Sequence, residues 1–293
     1  MPRTTTADGV GLYYEESGSG APLLFVHEFG GDHRSWEPQL RHFARRYHCL
    51  VYAARGFPPS DVPAQLAAYS QSAAVADALA VLDAIGADTA HVVGNSMGGF
   101  TALHLARLHP ERIRSAVVAG CGYGAHPDKE AGFRSECERL ALAYESDGPA
   151  SVAQWYGVGP ARVQFENKDP RGHAEHVQVL AEHDATGAAL TMRGVQKARP
   201  SLYALRDELA RLEVPLLIVA GDEDEGVLDS DLMLKRTVPT AGLAVLPRTG
   251  HLSNLEEPAL FNLLVEQFLA QVDSGRWGRR DPRSLSTSTT GVK

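Results

Sequence analysis

Six short apolar runs recur along the chain: "LLFVH" (Leu23–His27), "CLVYAA" (Cys49–Ala54), "AHVVG" (Ala90–Gly94), "SAVVAG" (Ser115–Gly120), "PLLIVAG" (Pro215–Gly221) and "LAVLP" (Leu243–Pro247). They are rich in β-branched residues and lack polar alternation, the pattern of strands buried on both faces. Helical patterns lie between them. "SQSAAVADALAVLDAIG" sets Val75, Leu79, Leu82 and Ile85 on one stripe and stops at Gly86. "GGFTALHLARLHP" runs until Pro110 ends it, and "EEPALFNLLVEQFLAQV" is a last amphipathic helix. Strand and helix in repeated alternation predict right-handed βαβ units. The fold class is therefore α/β, a mostly parallel twisted sheet flanked by helices. An earlier segment, "GVGLYYEES", adds an antiparallel edge pair at the start.

The alternation breaks after Tyr123. From Gly124 to about Leu212 there is no strong strand signal, only helix-like pieces such as "RSECERLALAY", "AEHVQVLAEH" and "SLYALRDELARL", broken by Gly and Pro. Compact domains do not carry so long an uninterrupted coil, so this segment reads as a helical insertion over the sheet. The expected organisation is a core of residues 1–124 and 213–275, a helical cap of residues 125–212, and a loose C-terminal tail of residues 276–293.

Composition narrows the field. At 293 residues, 44% hydrophobic and 22% charged, the chain can bury one large core or one domain with an insertion. A formal charge of −8 argues against nucleic acid or an anionic membrane as partner, since either calls for a basic patch. Three cysteines, Cys49, Cys121 and Cys137, with no CxxC pair, fit a reduced compartment better than a disulfide framework. No signal-peptide core and no spanning-length apolar run are present. The expectation is a cytoplasmic, soluble protein, monomer or homodimer, acting on a small molecule.

Candidate chemistry appears where a buried strand meets a helix. "AHVVG" is followed by "GNSMGGFTALHLA", which contains Gly94-x-Ser96-x-Gly98. A serine on such a tight turn needs small residues two before and two after it. The turn lifts the hydroxyl above the sheet edge and leaves the Met97 N–H free at a helix N-terminus, where it can hold an anion. Serine is a weak nucleophile and needs a base held by an acid, in later loops. Of twelve histidines, His251 in "LPRTGHLSNLEEP" sits past the last strand and before the last helix. The others fit bland roles. For the acid, the loop "GDEDEGV" offers Asp222, Glu223, Asp224 and Glu225. Spacing does not choose among them. The preceding strand end, "AGCGYG", offers none, and Cys121 there reads as a pocket wall.

The segments "HEFGG", "GNSMGG", "GDED" and "GHLSNLEEP" resemble the α/β-hydrolase family, in the group with an inserted helical cap. The resemblance runs from about Leu12 to Val272. It implies the acid three residues after the glycine closing the strand, which is Asp224, and a second oxyanion N–H in the loop after the first run, which is Phe29. Glu28 departs from the family, which has Gly there. Its carboxylate either turns away to bond the neighbouring loop or faces the pocket and selects a substrate bearing a donor or cation. His27 and His33 are six apart, so the helical zinc motif with histidines at i and i+4 is absent, and no metal or organic cofactor is expected. Further substrate-binding candidates are Asn95, Tyr123, Trp155 and Arg193, with Tyr156, Lys197, Arg199 and Tyr203 in the same insertion or crevice. The resulting expectation is a serine hydrolase acting on a small-molecule ester or lactone through Ser96, Asp224 and His251. The alternatives are C–C bond hydrolysis of a ring-fission product, which "GNSMGG" also resembles, acyl transfer to an acceptor other than water, and a non-catalytic ligand binder.

Overall fold

The apolar runs become strands because each can bury both faces only inside a sheet covered on two sides. The structure, a computed structural model, describes residues 2–285, 288 and 290. The eight strands are β1 (Arg3–Thr5), β2 (Gly11–Ser17), β3 (Ala21–Val26), β4 (Tyr47–Tyr52), β5 (Ala90–Asn95), β6 (Ile113–Ala119), β7 (Leu216–Gly221) and β8 (Ala241–Leu246). They form one sheet in the order β1-β2-β4-β3-β5-β6-β7-β8. The β1–β2 and β2–β4 pairs are antiparallel and the rest parallel. The fold is thus the expected one, with the antiparallel edge pair at the start.

Helices α1 (Glu37–Phe43), α2 (Gln71–Ala84) and α3 (Met97–Leu108) lie between the early strands. Between β6 and β7 the regular elements are helices joined by turns, chiefly α4 (Pro127–Asp147), α5 (Pro149–Tyr156), α6 (Val163–Lys168), α7 (Pro170–Ala181), α8 (Ala185–Thr191) and α9 (Arg206–Leu209). Helix α10 (Leu228–Thr237) joins β7 to β8, and α11 (Ser253–Glu256) and α12 (Pro258–Asp273) follow. No helix among the described residues is long and apolar enough to cross a membrane.

Side chains alternate across the sheet with period two. Leu24, Val26 and Val92 pack with α2, α3 and α10 through Val75, Leu82, Phe100 and Leu234. Their neighbours Leu23, Phe25 and Val93 pack the other way, on Phe43 of α1 and on Phe261, Val265 and Phe268 of α12. A third apolar cluster joins the sheet edge to the inserted helices: Phe29, Phe57 and Met97 meet Tyr144, Val152, Met192 and Val195. The strand order reverses beside β3, which pairs β4 on one side and β5 on the other. Loops leaving β3 and β5 diverge there, and open α/β sheets carry their ligand crevice outside such a switch point.

The tail expected to be loose is tied at its beginning. The Trp277 ring packs edge-on against Phe268, 4.6 Å between centroids, and its indole N–H donates to the Thr240 carbonyl at 2.8 Å. The Arg280 N–H donates to the Pro239 carbonyl at 2.8 Å. Gly242 supplies the slot: a Cβ there would stand 2.6 Å from the indole. Lost apolar periodicity concealed this, because one side chain fills one gap. Residues 286, 287, 289 and 291–293 of the expected tail lie outside the described residues. Trp277→Ala removes a half-buried ring and a hydrogen bond, so stability falls by about 2 kcal/mol. A urea midpoint unchanged from the parent would show that residues past 275 contribute nothing.

Candidate active site

Ser96 sits alone between β5 and α3, at φ +52° and ψ −112°. A non-glycine residue in that region costs about 1–3 kcal/mol and persists only where its surroundings impose it. They do so here. The Ser96 N–H donates to the Ala119 carbonyl at 2.8 Å, and the Ser96 carbonyl accepts from the Phe100 N–H at 3.0 Å. A Cβ on Gly94 would overlap the Gly98 carbonyl, and one on Gly98 would overlap the Val26 carbonyl of β3. The helix therefore passes the strand ends too closely for any side chain. Met97 opens α3, so its N–H is among the first-turn donors that lack an intrahelical acceptor.

The loop after β3 is organised by a buried imidazole. Nε2 of His27 accepts from the Ala54 N–H at 3.0 Å, so the ring hydrogen lies on Nδ1, which donates to the Glu28 carbonyl at 2.7 Å. Burial holds this imidazole below its usual pKa. Both ring nitrogens are committed, so His27 acts as a strut. The Gly31 N–H also reaches the Glu28 carbonyl, at 3.4 Å. Because the peptide plane is rigid and trans, fixing that carbonyl points the Phe29 N–H the opposite way. The Phe29 ring is wedged under the inserted helices, 5.9 Å from Tyr144 and 6.1 Å from Tyr156 between centroids.

Of the four carboxylates after β7, Asp222, Glu223 and Glu225 are exposed. Asp224 is 1% exposed, and its Oδ2 lies 2.6 Å from His251 Nδ1. Its Oδ1 accepts from the Tyr123 hydroxyl at 2.9 Å, while the Tyr123 ring stands edge-on to His251, 5.2 Å between centroids. Burial alone would lower the His251 pKa, but the charge and hydrogen bond of Asp224 outweigh it and the net shift is upward.

His251 is also suspended by its backbone. Its N–H donates to Ala161 of the insertion at 3.0 Å, and its carbonyl accepts from Asn95 Nδ2 at 3.3 Å. The flanking N–H groups of Gly250 and Leu252 donate to the Glu256 carboxylate at 2.6 and 3.0 Å. A Cβ at Gly120 would stand 3.1 Å from His251 Nδ1, so the end of β6 must be bare.

The remaining expected substrate contacts divide. Arg193 is engaged on α4, donating to Glu138 at 2.9 Å and to Glu145, and Lys197 donates to Glu138 at 2.7 Å. Trp155 is 49% exposed. Both Arg193 and Trp155 are therefore turned from the crevice, and sequence pattern could not show it because irregular short helices hide their rotation. Arg199 lies over the Phe100 ring at 3.6 Å and donates to the Tyr123 carbonyl at 2.7 Å. Tyr203 stacks edge-on with His126. Glu28 is 2% exposed, accepting from the Gly30 N–H at 2.6 Å and facing Arg162 at 3.4 Å.

Two residues at the site escaped the sequence reading. Glu256 stands inside the quoted "GHLSNLEEP", but only the folded loop shows its carboxylate clamping both neighbours of His251. Arg162 is a lone cation in "GPARV", with nothing local to separate it from the surface arginines.

A family model described as alpha/beta hydrolase fold matches residues 21–258. RutD of Azorhizobium caulinodans, a protein assigned as a carbamate hydrolase, is 30% identical over 275 residues, covering 89% of this chain and 96% of its own. The 3-oxoadipate enol-lactonase 1 of Acinetobacter baylyi is 29% identical, with 85% and 89% covered. Among solved structures, a thermophilic esterase from Thermogutta terrifontis superposes with a TM-score of 0.82 at 25% identity, with 92% and 98% covered.

The Tyr123 bond has a measurable sign. Its hydroxyl withdraws charge from Asp224, so Tyr123→Phe leaves more negative charge facing the imidazole and raises the His251 pKa. NMR titration of the His251 ring reads the shift directly, and a fall instead of a rise would show that Tyr123 does not act through Asp224.

Proposed function

This chain belongs to the alpha/beta hydrolase fold family, and we propose that it is a serine hydrolase cleaving a small-molecule carboxylic ester or lactone through an acyl-enzyme. The observation that carries the reading is the buried Asp224–His251 pair, 2.6 Å apart, suspended beside the strained turn that bears Ser96. The named activities of the enol-lactonase and the esterase support the same bond class, and RutD is named for a carbamate, a related acyl bond.

In the proposed cycle, His251 Nε2 removes the Ser96 proton as Oγ bonds to the substrate carbonyl carbon. The carbonyl π electrons move to oxygen, where the Phe29 and Met97 N–H groups receive the charge. Asp224 keeps the hydrogen on Nδ1 and stabilises the imidazolium. His251 then protonates the leaving alcohol oxygen as its bond to carbon breaks. Water, deprotonated by the same imidazole, opens the acyl-enzyme and returns Ser96 to its free hydroxyl. Each oxyanion donor is worth about 3 kcal/mol in comparable sites. The acidic overall charge and three buried free cysteines support a cytoplasmic setting and a small-molecule partner.

The test is hydrolysis of p-nitrophenyl esters from acetyl to dodecanoyl, with EDTA present. Ser96→Ala should lower kcat by about 10⁴-fold or more. Undiminished activity in that variant would exclude the mechanism, and no turnover of any of these esters by the parent would exclude simple alkyl esters as substrates and favour a specialised polar substrate or a C–C bond. The base must be neutral to act, and Asp224 raises the His251 pKa. The kcat/KM profile should therefore rise with pH along a limb centred above the ordinary imidazole value of about 6.5. A limb below that value would count against His251.

A further inference from the structure

We propose that Glu28 and Arg162 form a recognition subsite for an uncharged substrate group that presents an O–H or N–H donor beside an acceptor, as a carboxamide or hydroxyl does. This deepens the hydrolase reading and rests on it for chemistry, though not for binding.

The proposal starts from an unsatisfied atom. Glu28 Oε2 is occupied by the Gly30 N–H at 2.6 Å and by Arg162 Nη2 at 3.4 Å. Glu28 Oε1 has no hydrogen-bond partner although the side chain is buried. The nearest imidazole nitrogen, His176 Nε2, is 3.6 Å away, but it already accepts from Arg162 Nε at 3.4 Å. A nitrogen whose lone pair faces a guanidinium cannot also donate to a carboxylate. Burial brings the His176 pKa down to about 4, so the ring is neutral near pH 7. An acceptor is left over where water is largely excluded, and such an atom gains most from a donor brought by a ligand.

Arg162 supplies the complement. Its guanidinium lies 4.4 Å from the Tyr156 ring centroid, and its contacts to Glu28 and His176 are both at the long limit of a hydrogen bond. The Nε and Nη2 donors are thus held only at long range, with Tyr156 as a further partner, and a better acceptor would draw those two.

Position ties the pair to the reacting centre. Glu28 immediately precedes Phe29. Arg162 immediately follows Ala161, whose carbonyl receives the His251 N–H. The two charges cancel, which sets the class of ligand. A carboxylate drawn to Arg162 would meet Glu28, and an ammonium drawn to Glu28 would meet Arg162. An uncharged group with donor and acceptor side by side satisfies both.

The experiment uses Ser96→Ala, which binds without turning over, and three benzyl esters of matched length: benzyl valerate, benzyl succinamate and monobenzyl succinate. Calorimetry or NMR titration should give a Kd for the succinamate at least about tenfold below both others. Glu28→Gln in that background should abolish or reverse the ratio. Its amide oxygen can stay on the Gly30 N–H while its NH₂ stands where Oε1 stood. A cooperative melt shows that this variant is folded; if it is not, Glu28→Asp, which keeps the charge and shortens the reach, should lower the same ratio. Equal affinities, tightest binding of the succinate, no saturable binding, or a ratio indifferent to Glu28 would each overturn the subsite. Turnover of the same esters by the parent protein is read separately. Discrimination without turnover sinks the hydrolase reading and spares the subsite, and turnover without discrimination does the reverse.

Discussion

Helix α3 passes the ends of β3 and β5 so closely that one methyl group on Gly98 would overlap the Val26 carbonyl. Most of the site follows from that crowding. A chain that must leave a buried strand and enter a helix within one residue has few backbone states open to it, and Ser96 takes one with positive φ. The same close passage sets the start of α3 beside the loop that leaves β3, so two backbone N–H groups, Met97 and Phe29, come from adjacent strand ends. Neither donor depends on its side chain. The Phe29 ring is free to anchor the inserted helices, and the Met97 side chain is free to join the same apolar cluster.

Around this rigid centre the protein buries charge in two linked groups. In one, Asp224 is held by Tyr123 and His251. In the other, Glu28 is held by Gly30 and Arg162 with His176 alongside. The groups meet through the backbone at Ala161, which belongs to the insertion yet carries the His251 N–H. The insertion is thereby coupled to the proposed base, not merely laid over it. Breaking either group would leave a charge without its partner in a dry place, which costs far more than losing an exposed ion pair. Arg193, Lys197, Glu138 and Glu145 illustrate the contrast. They hold α4 to its neighbour at the protein surface, where solvent screens them.

The legibility of these features varied with how local their cause is. "GNSMGG" was readable because the steric demand at Ser96 is met by residues within a few positions of it. His251 was readable because a strand and a helix bracket it. Among Asp222, Glu223, Asp224 and Glu225, spacing left the choice open and family resemblance favoured Asp224. The structure separates them by burial and by one 2.6 Å contact. Tyr123 was expected at the crevice, but its bond to Asp224 joins residues about a hundred positions apart. Trp155 was misplaced because the short helix between Pro149 and Gly157 carries too few turns for its buried stripe to show, and Arg193 because its helix widens into a π-helical turn over Met192–Gln196 that breaks the 3.6-residue period.

The sequence by itself determined the layering, the limits of β2 to β8 to within two residues and the turn that exposes Ser96, while the short edge strand β1 (Arg3–Thr5) lay outside the segments it marked. All of these follow from short-range periodicity and local sterics. Tertiary structure separated the carboxylates that spacing had left open beside His251, and it alone decided which cation meets Glu28 and that Glu256 clamps the loop carrying His251. Those pairings depend on the angles at which separate loops leave the sheet and on how the insertion settles over it. Charged residues of the same type look alike in a sequence, and only burial makes one of them costly enough to require a partner.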